Sequence, residues 1–231
     1  MALNARKVAN SGGGNRVEQE NLDPGSYPAR LVQIIDMGLQ PQRPYQGKDK
    51  PPMPEIALTY ELVDVFMKDA DGKELEEKPR WVSETIPLHN LKADKAKSTQ
   101  RYYAFDPNEE FEGDFTKLIG MPITVTIVNN KVGDKVYDNI ATTSAMRAKD
   151  AAKCPELVNK AKVFVLDAPD MEVFNSFPQW IQDKIKGNLE YEGSALQKLA
   201  GKVNVPAKSK EAPQTNTPAN ENEDDNQDAP Y

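Results

Sequence analysis

The chain has 231 residues, 38% of them hydrophobic, enough for one well-formed core and a modest extension. Its formal charge of −7 sits in one place: residues 211–231 carry Glu211, Glu221, Glu223, Asp224, Asp225 and Asp228 without a Lys or Arg, leaving 29 basic against 30 acidic side chains elsewhere. Cys154 and His89 are the only cysteine and histidine, which excludes an internal disulfide and a four-ligand thiolate/imidazole zinc site.

Residues 1–22 combine Gly12, Gly13 and Gly14 with Arg6, Lys7 and Arg16 and show no apolar period, which predicts a flexible arm. After the turn Asp23-Pro24-Gly25, Tyr27–Ile35 reads as a first strand. Residues 36–54 hold five prolines, each removing an amide donor, and read as a long loop. Glu55–Met67 alternates cleanly, with Ile56, Leu58, Tyr60 and Leu62 on one face and Thr59 and Glu61 on the other. Hairpin chemistry at Asp71-Gly72 leads to a third strand, Arg80–Leu88, with Val82, Ile86 and Leu88 inward and Trp81, Ser83 and Thr85 opposite.

Leu91–Phe105 suits a helix, and a further helical turn is expected at Asp114–Ile119. Met121–Asn129 and Lys135–Thr143 read as two strands about a turn containing Gly133, with Ile123, Val125 and Ile127 facing Val136 and Ile140. Five strands with a helix between the third and fourth is the plan of a mainly β, five-stranded OB-fold, a Greek-key barrel, over residues 23–145. Residues 146–200 then form a short helical extension on the barrel. In it Pro178 fits the first turn of a helix expected from about Phe177 to Lys186, with Phe177, Trp180, Ile181 and Ile185 on one packing stripe. Residues 201–231 lack the apolar content to offset chain entropy and read as a disordered acidic tail.

No apolar run approaches the roughly 20 residues a bilayer span needs, and Met1–Glu20 has no signal-peptide centre. The expectation is a soluble protein of the cytoplasm with no membrane partner. Catalytic constellations are missing. Lys153-Cys154-Pro155 suggests no orienting group for a Cys154–His89 pair, and the acidic run 106–114 has Phe111 where a calcium loop needs glycine. Gly12-Gly13-Gly14 lacks the Lys-Ser/Thr of a phosphate cradle. Neither an enzyme nor a cofactor or metal is expected.

Binding single strands without sequence preference takes cations along a backbone track and flat aromatic faces for bases. An OB-fold would gather both from three elements. These are Arg43, Tyr45, Lys48 and Lys50 in the loop between strands 1 and 2, Arg80 and Trp81 on strand 3, and Lys131, Lys135 and Tyr137 on the last hairpin. Barrel and tail together resemble a bacteriophage single-stranded DNA-binding protein of the replication type, over residues 25–145 and the terminal Asp224, Asp225, Asp228 and Tyr231.

The resemblance implies a protein of the host cytoplasm that coats single-stranded DNA during replication, recombination and repair. Its acidic tail would shield the empty DNA groove and dock polymerase and helicase-primase. This chain ends Ala229-Pro230-Tyr231 where phenylalanine after acids is usual, which bears on the tail's partner. A homo-oligomer stays open. So do a β-rich virion or scaffolding component, and a duplex-binding architectural protein or recombination mediator.

Overall fold

Alternation of apolar and polar residues at period two is satisfied only when one face of a strand meets a core. Ile56, Leu58, Tyr60 and Leu62 are buried together on that basis. A computed structural model describes residues 19–200. Its strands β1 (Gly25–Gln40), β2 (Met53–Lys68), β3 (Glu74–Pro87), β4 (Pro122–Val132) and β5 (Lys135–Ser144) pair antiparallel in the order β3-β2-β1-β4-β5. The sheet curls into a half-barrel, so that β3 and β5, the two ends of this order, lie side by side. Helix α1 (Lys97–Phe105) and a single 3-10 turn (Phe115–Leu118) follow β3 and fill the barrel with Tyr102, Phe105, Phe115 and Leu118.

Among the described residues no hydrogen-bonded ladder joins β3 to β5, and side chains close that seam instead. Arg101 of α1 grips Glu84 of β3 through Nε to Oε1 at 2.7 Å and Nη2 to Oε2 at 3.1 Å. Its Nη2 also donates to the carbonyls of Ile140 and Ala141 on β5, at 3.4 and 3.3 Å. Tyr60 adds its hydroxyl to Glu84 Oε1 at 3.2 Å. Burial alone would push the Arg101 pKa down, but Glu84 outweighs it and holds the guanidinium above its ordinary value. Further along the seam Arg80 of β3 donates to Asp138 of β5 at 3.3 Å.

β1 carries apolar residues on both faces, which explains the run Leu31–Ile35. Shifts in register between Leu31 and Gln33 and between Asp36 and Gly38 rotate the strand, so Leu31 and Ile34 enter the barrel while Ile35 and Met37 face outward. The strand was expected to stop at Ile35 and instead runs to Gln40, because Gly38 takes φ +73° and donates its amide to Asp36 Oδ1 at 2.9 Å. Gly38 is required there: a Cβ would lie 2.7 Å from Asn188 Cγ and 2.9 Å from Leu166 Cδ1.

On that outward face sits the extension, made of α2 (Ala148–Ala151), β6 (Lys162–Phe164), α3 (Met171–Asn175), α4 (Gln179–Lys186) and α5 (Ala195–Ala200). β6, which sequence patterning missed, pairs parallel with Gln33–Ile35 along the edge of β1 that β4 leaves free. Phe164, Phe174, Phe177, Ile181, Ile185, Tyr191 and Leu196 bury Ile35, Met37 and Ala57 in a second cluster.

Several expectations need correction. α1 begins at Lys97 and not at Leu91, since Asn90 starts successive turns by accepting from Lys92 N at its side chain and from Ala93 N at its carbonyl. β3 begins at Glu74, and Val136 is exposed because the β4–β5 hairpin runs beyond the last β1 pairing, Gly25 with Ile127. The end of the expected arm is anchored: Leu22 is buried and its amide donates to Asp138. Asn21 Nδ2 donates to the Val136 carbonyl, and Gln19 Oε1 accepts from Lys68 N. The rest of the arm, the tail 201–231 and with it Asp224, Asp225, Asp228 and Tyr231 lie outside the described residues.

Candidate nucleic-acid interface

Trp81 occupies the outer face of β3, opposite Val82, and is 40% exposed. Its position is fixed from below. Glu61, its cross-strand partner on β2, is buried and accepts the indole Nε1–H at 3.0 Å. The same carboxylate accepts Val158 N at 2.7 Å, Asn159 N at 3.3 Å and Asn159 Nδ2 at 2.7 Å. Four N–H donors thus satisfy one buried charge and join Trp81 to the strap 154–159 of the extension. Arg30, paired with Glu61 across β1 and β2, holds the other end of the strap by donating to the carbonyls of Pro155 and Cys154. The strap covers the outer face behind Trp81 and leaves the indole open at the β3 edge.

The 1–2 loop, residues 41–52, displays Arg43, Tyr45, Lys48 and Lys50, all exposed. Tyr45 and Lys48 exchange backbone hydrogen bonds of 2.9 Å each, and Gln46 and Gly47 both adopt positive φ, at 48° and 77°. This tight turn sets Tyr45 and Lys48 opposite each other as an isolated antiparallel bridge. Lys50 Nζ stands 4.8 Å from the Tyr45 ring centroid, a cation against its π face.

The β4–β5 hairpin exposes Lys131 and Lys135, with Tyr137 half-buried. Lys135 and Tyr137 share a face, as expected from their spacing. Lys131 pairs with Val136 and so lies on the other face.

These stations are not gathered at one point. β1 leads into the 1–2 loop at Gln40, whereas the β4–β5 hairpin extends past Gly25 at its other end. Trp81 stands in the row Arg30–Glu61–Trp81 between them. Ten residues separate Gln40 from Arg30 and five separate Arg30 from Gly25, so the path is roughly 50 Å along the strand at about 3.3 Å per residue. Arg80 belongs to none of the stations. As the strand neighbour of Trp81 it points to the opposite face, where Asp138 and the Glu20 carbonyl at 2.8 Å hold its guanidinium.

No protein-family model matches the chain, and no curated protein aligns with it significantly.

The sequence features set aside as non-catalytic have structural uses. Asp106 is buried and caps its own loop, accepting from Glu110 N at 2.9 Å, Phe111 N at 2.8 Å and Tyr102 Oη at 2.8 Å. Burial would raise its pKa, but these donors together hold the carboxyl below the ordinary range. Tyr102, in an apolar setting beside Asp106, is pushed up to about 12. Burial raises the Cys154 thiol as well, with Arg30 opposing, which disfavours a nucleophilic thiolate. Among the described residues no cluster of three His, Cys, Asp or Glu side chains is arranged for a metal, and no helix is long and apolar enough to cross a membrane.

Sequence reasoning missed Trp180. Assigned to the packing stripe of α4, it is in fact 56% exposed. The helix starts at Gln179 with Pro178 as its N-cap, so Phe177 reaches the core from outside the helix and the inward face narrows to Ile181 and Ile185. The available signal was angular: at 3.6 residues per turn Trp180 lies about 100° from Ile181 and about 140° from Ile185.

Proposed function

We propose that the protein is a non-enzymatic single-stranded DNA-binding protein on an OB-fold body, acting in phage DNA replication, recombination and repair. The observation that carries this reading is Trp81: an open indole, held by a buried carboxylate, on the outer face of β3 between two loops that display Lys, Arg and Tyr. An aromatic face with flanking cations is the arrangement that takes successive bases and phosphates without reading sequence. The strand order β3-β2-β1-β4-β5, with β3 alongside β5 and a helix between β3 and β4, supports the OB-fold assignment. The acidic residues 211–231 compete with DNA for the basic stations and, once displaced, recruit polymerase and helicase-primase through Asp224, Asp225, Asp228 and Tyr231.

The test is a fluorescence titration with oligo(dT) of a Trp180→Phe variant, which leaves Trp81 as the sole tryptophan. Binding quenches the emission and weakens with salt, and affinity for fluorescently labelled oligo(dT), read by anisotropy, drops roughly five- to hundred-fold in Trp81→Ala, the range of one lost base stack. Deleting residues 211–231 tightens binding, most at low salt where screening is weak. No quenching and no binding at low salt overturns the reading, as does an equal preference for duplex DNA.

A further inference from the structure

Trp180 is the more exposed of the two tryptophans, at 56% against 40% for Trp81. Its helix, α4, buries Ile181 and Ile185 in the second cluster and turns Trp180 away from it. What lies beside that outer side follows from the hydrogen bonds of α4. Gln40 Nε2 donates to the Lys184 carbonyl at 3.1 Å, and Lys184 Nζ meets Glu55 Oε2 at 2.7 Å. Glu55 Oε1 in turn accepts Gln42 Nε2 at 3.0 Å, and just beyond the helix Leu189 N donates to the Leu39 carbonyl at 2.9 Å. The helix is fastened to both roots of the 1–2 loop. Trp180 precedes Lys184 by four residues, so the two share a helix face with Cβ atoms roughly 5–6 Å apart.

We infer that Trp180 and Tyr45 form a second base-stacking platform, with Arg43, Lys48 and Lys50 taking the phosphates, so that a single strand held at Trp81 is held again at the 1–2 loop. The inference rests on the single-strand reading and deepens it by giving the strand a direction. Around the β2–β3 hairpin Asp69, Asp71, Glu74, Glu76 and Glu77 outnumber Lys68, Lys73 and Lys78, and this excess of acid repels a phosphate backbone. The other way along β3, the outer face past Trp81 is Ser83 and Thr85, and it ends at Pro87, paired with Glu55 at the root of the 1–2 loop. Charge there favours an anion. Glu55 is paired with Lys184, and the exposed Arg43, Lys48 and Lys50 outnumber the exposed Asp49 of the same loop and Asp183 of α4. Tyr45, 46% exposed on its tight turn, and Trp180 supply two flat faces in that setting. Stacking tolerates any base, and a polyanion satisfies both halves of the surface where an apolar protein segment would satisfy only one.

The experiment uses the full chain in two forms, Trp81→Phe with Trp180 as the only reporter and Trp180→Phe with Trp81 as the only reporter. Each is titrated with oligo(dT) of roughly 30 nucleotides, longer than the usual site of one such fold. Both emissions are quenched, Trp180→Ala lowers affinity roughly five- to fifty-fold, and replacing Arg43, Lys48 and Lys50 by Ala abolishes the Trp180 response while Trp81 still responds. Near-UV circular dichroism of Trp180→Ala, whose side chain lies outside the core, checks that the fold is kept. If Trp81 saturates while Trp180 emission and the Trp180→Ala affinity stay unchanged, this inference falls and the single-strand reading stands. If neither tryptophan responds and no oligonucleotide binds, both fall. If Trp180→Ala turns a dimer into a monomer in sedimentation without altering affinity, the surface belongs to a second copy and the inference falls.

Discussion

Removing the guanidinium of Arg101 tests how the barrel is closed. In Arg101→Met the two bonds to Glu84 and those to the Ile140 and Ala141 carbonyls vanish together, while the apolar stem is roughly kept. Glu84, with its side chain 9% exposed, is then a buried carboxylate that keeps, among the described residues, the Tyr60 hydroxyl alone. Stranding one partner of a buried pair costs about 3–5 kcal/mol. At roughly 2–4 °C per kcal/mol for a body of this size, the Tm falls by about 6–20 °C. Differential scanning calorimetry measures it. The double variant Arg101→Met with Glu84→Gln removes the stranded charge and recovers roughly 1–3 kcal/mol relative to the single. A single-variant loss under about 1 kcal/mol, or a double variant no better than the single, refutes the idea that the seam depends on this pair. Because Arg101 acts on the inner side of β3 and Trp81 lies on the outer side, oligonucleotide affinity measured well below the lowered Tm stays near that of the parent.

Two further outcomes follow from geometry already described. Asp106 has a depressed pKa, so its stabilisation is complete above the ordinary carboxyl pKa of about 4 and fades as pH falls through the depressed value. The stability gap between the parent and Asp106→Asn, read from urea midpoints, is therefore widest near neutral pH and narrows in acid, and a pH-independent gap contradicts this. Gly38→Ala puts a Cβ against Asn188 and Leu166 at φ +73°, which destabilises by roughly 2–4 kcal/mol in urea unfolding, whereas a change under about 0.5 kcal/mol would mean that the bulge relaxes freely.

Strand faces were legible because a period of two is enforced by the core. Ile56 to Leu62 and Ile123 to Ile127 alternate in the sequence and are buried on one side as read. Legibility failed where local detail decided a face. Gly38 carries β1 five residues further than its polar surroundings suggested, and the buried face of α4 is only as wide as Ile181 and Ile185, which leaves Trp180, about 100° round the helix from Ile181, facing outward. Of the candidate interface, the residue types could be read and their tethering could not. Arg80 and Trp81 are adjacent in sequence and serve opposite faces, one bound to Asp138 and the other to Glu61. The depth of Glu61 was hidden because its covering strap lies almost 100 residues later, and no local pattern encodes so distant a lid.

β1 works as a party wall. One strand forms the lining of the barrel with Leu31 and Ile34 and the lining of the extension's core with Ile35 and Met37, so the two cores stand back to back with no linker between them. A fragment ending near residue 145 would bare Ile35, Met37 and Ala57 to water and would also release the strap that steadies Trp81. The barrel therefore is not a portable module. The placement of the Trp81 indole is tied to the extension through one carboxylate, Glu61, which accepts from both Trp81 and the strap.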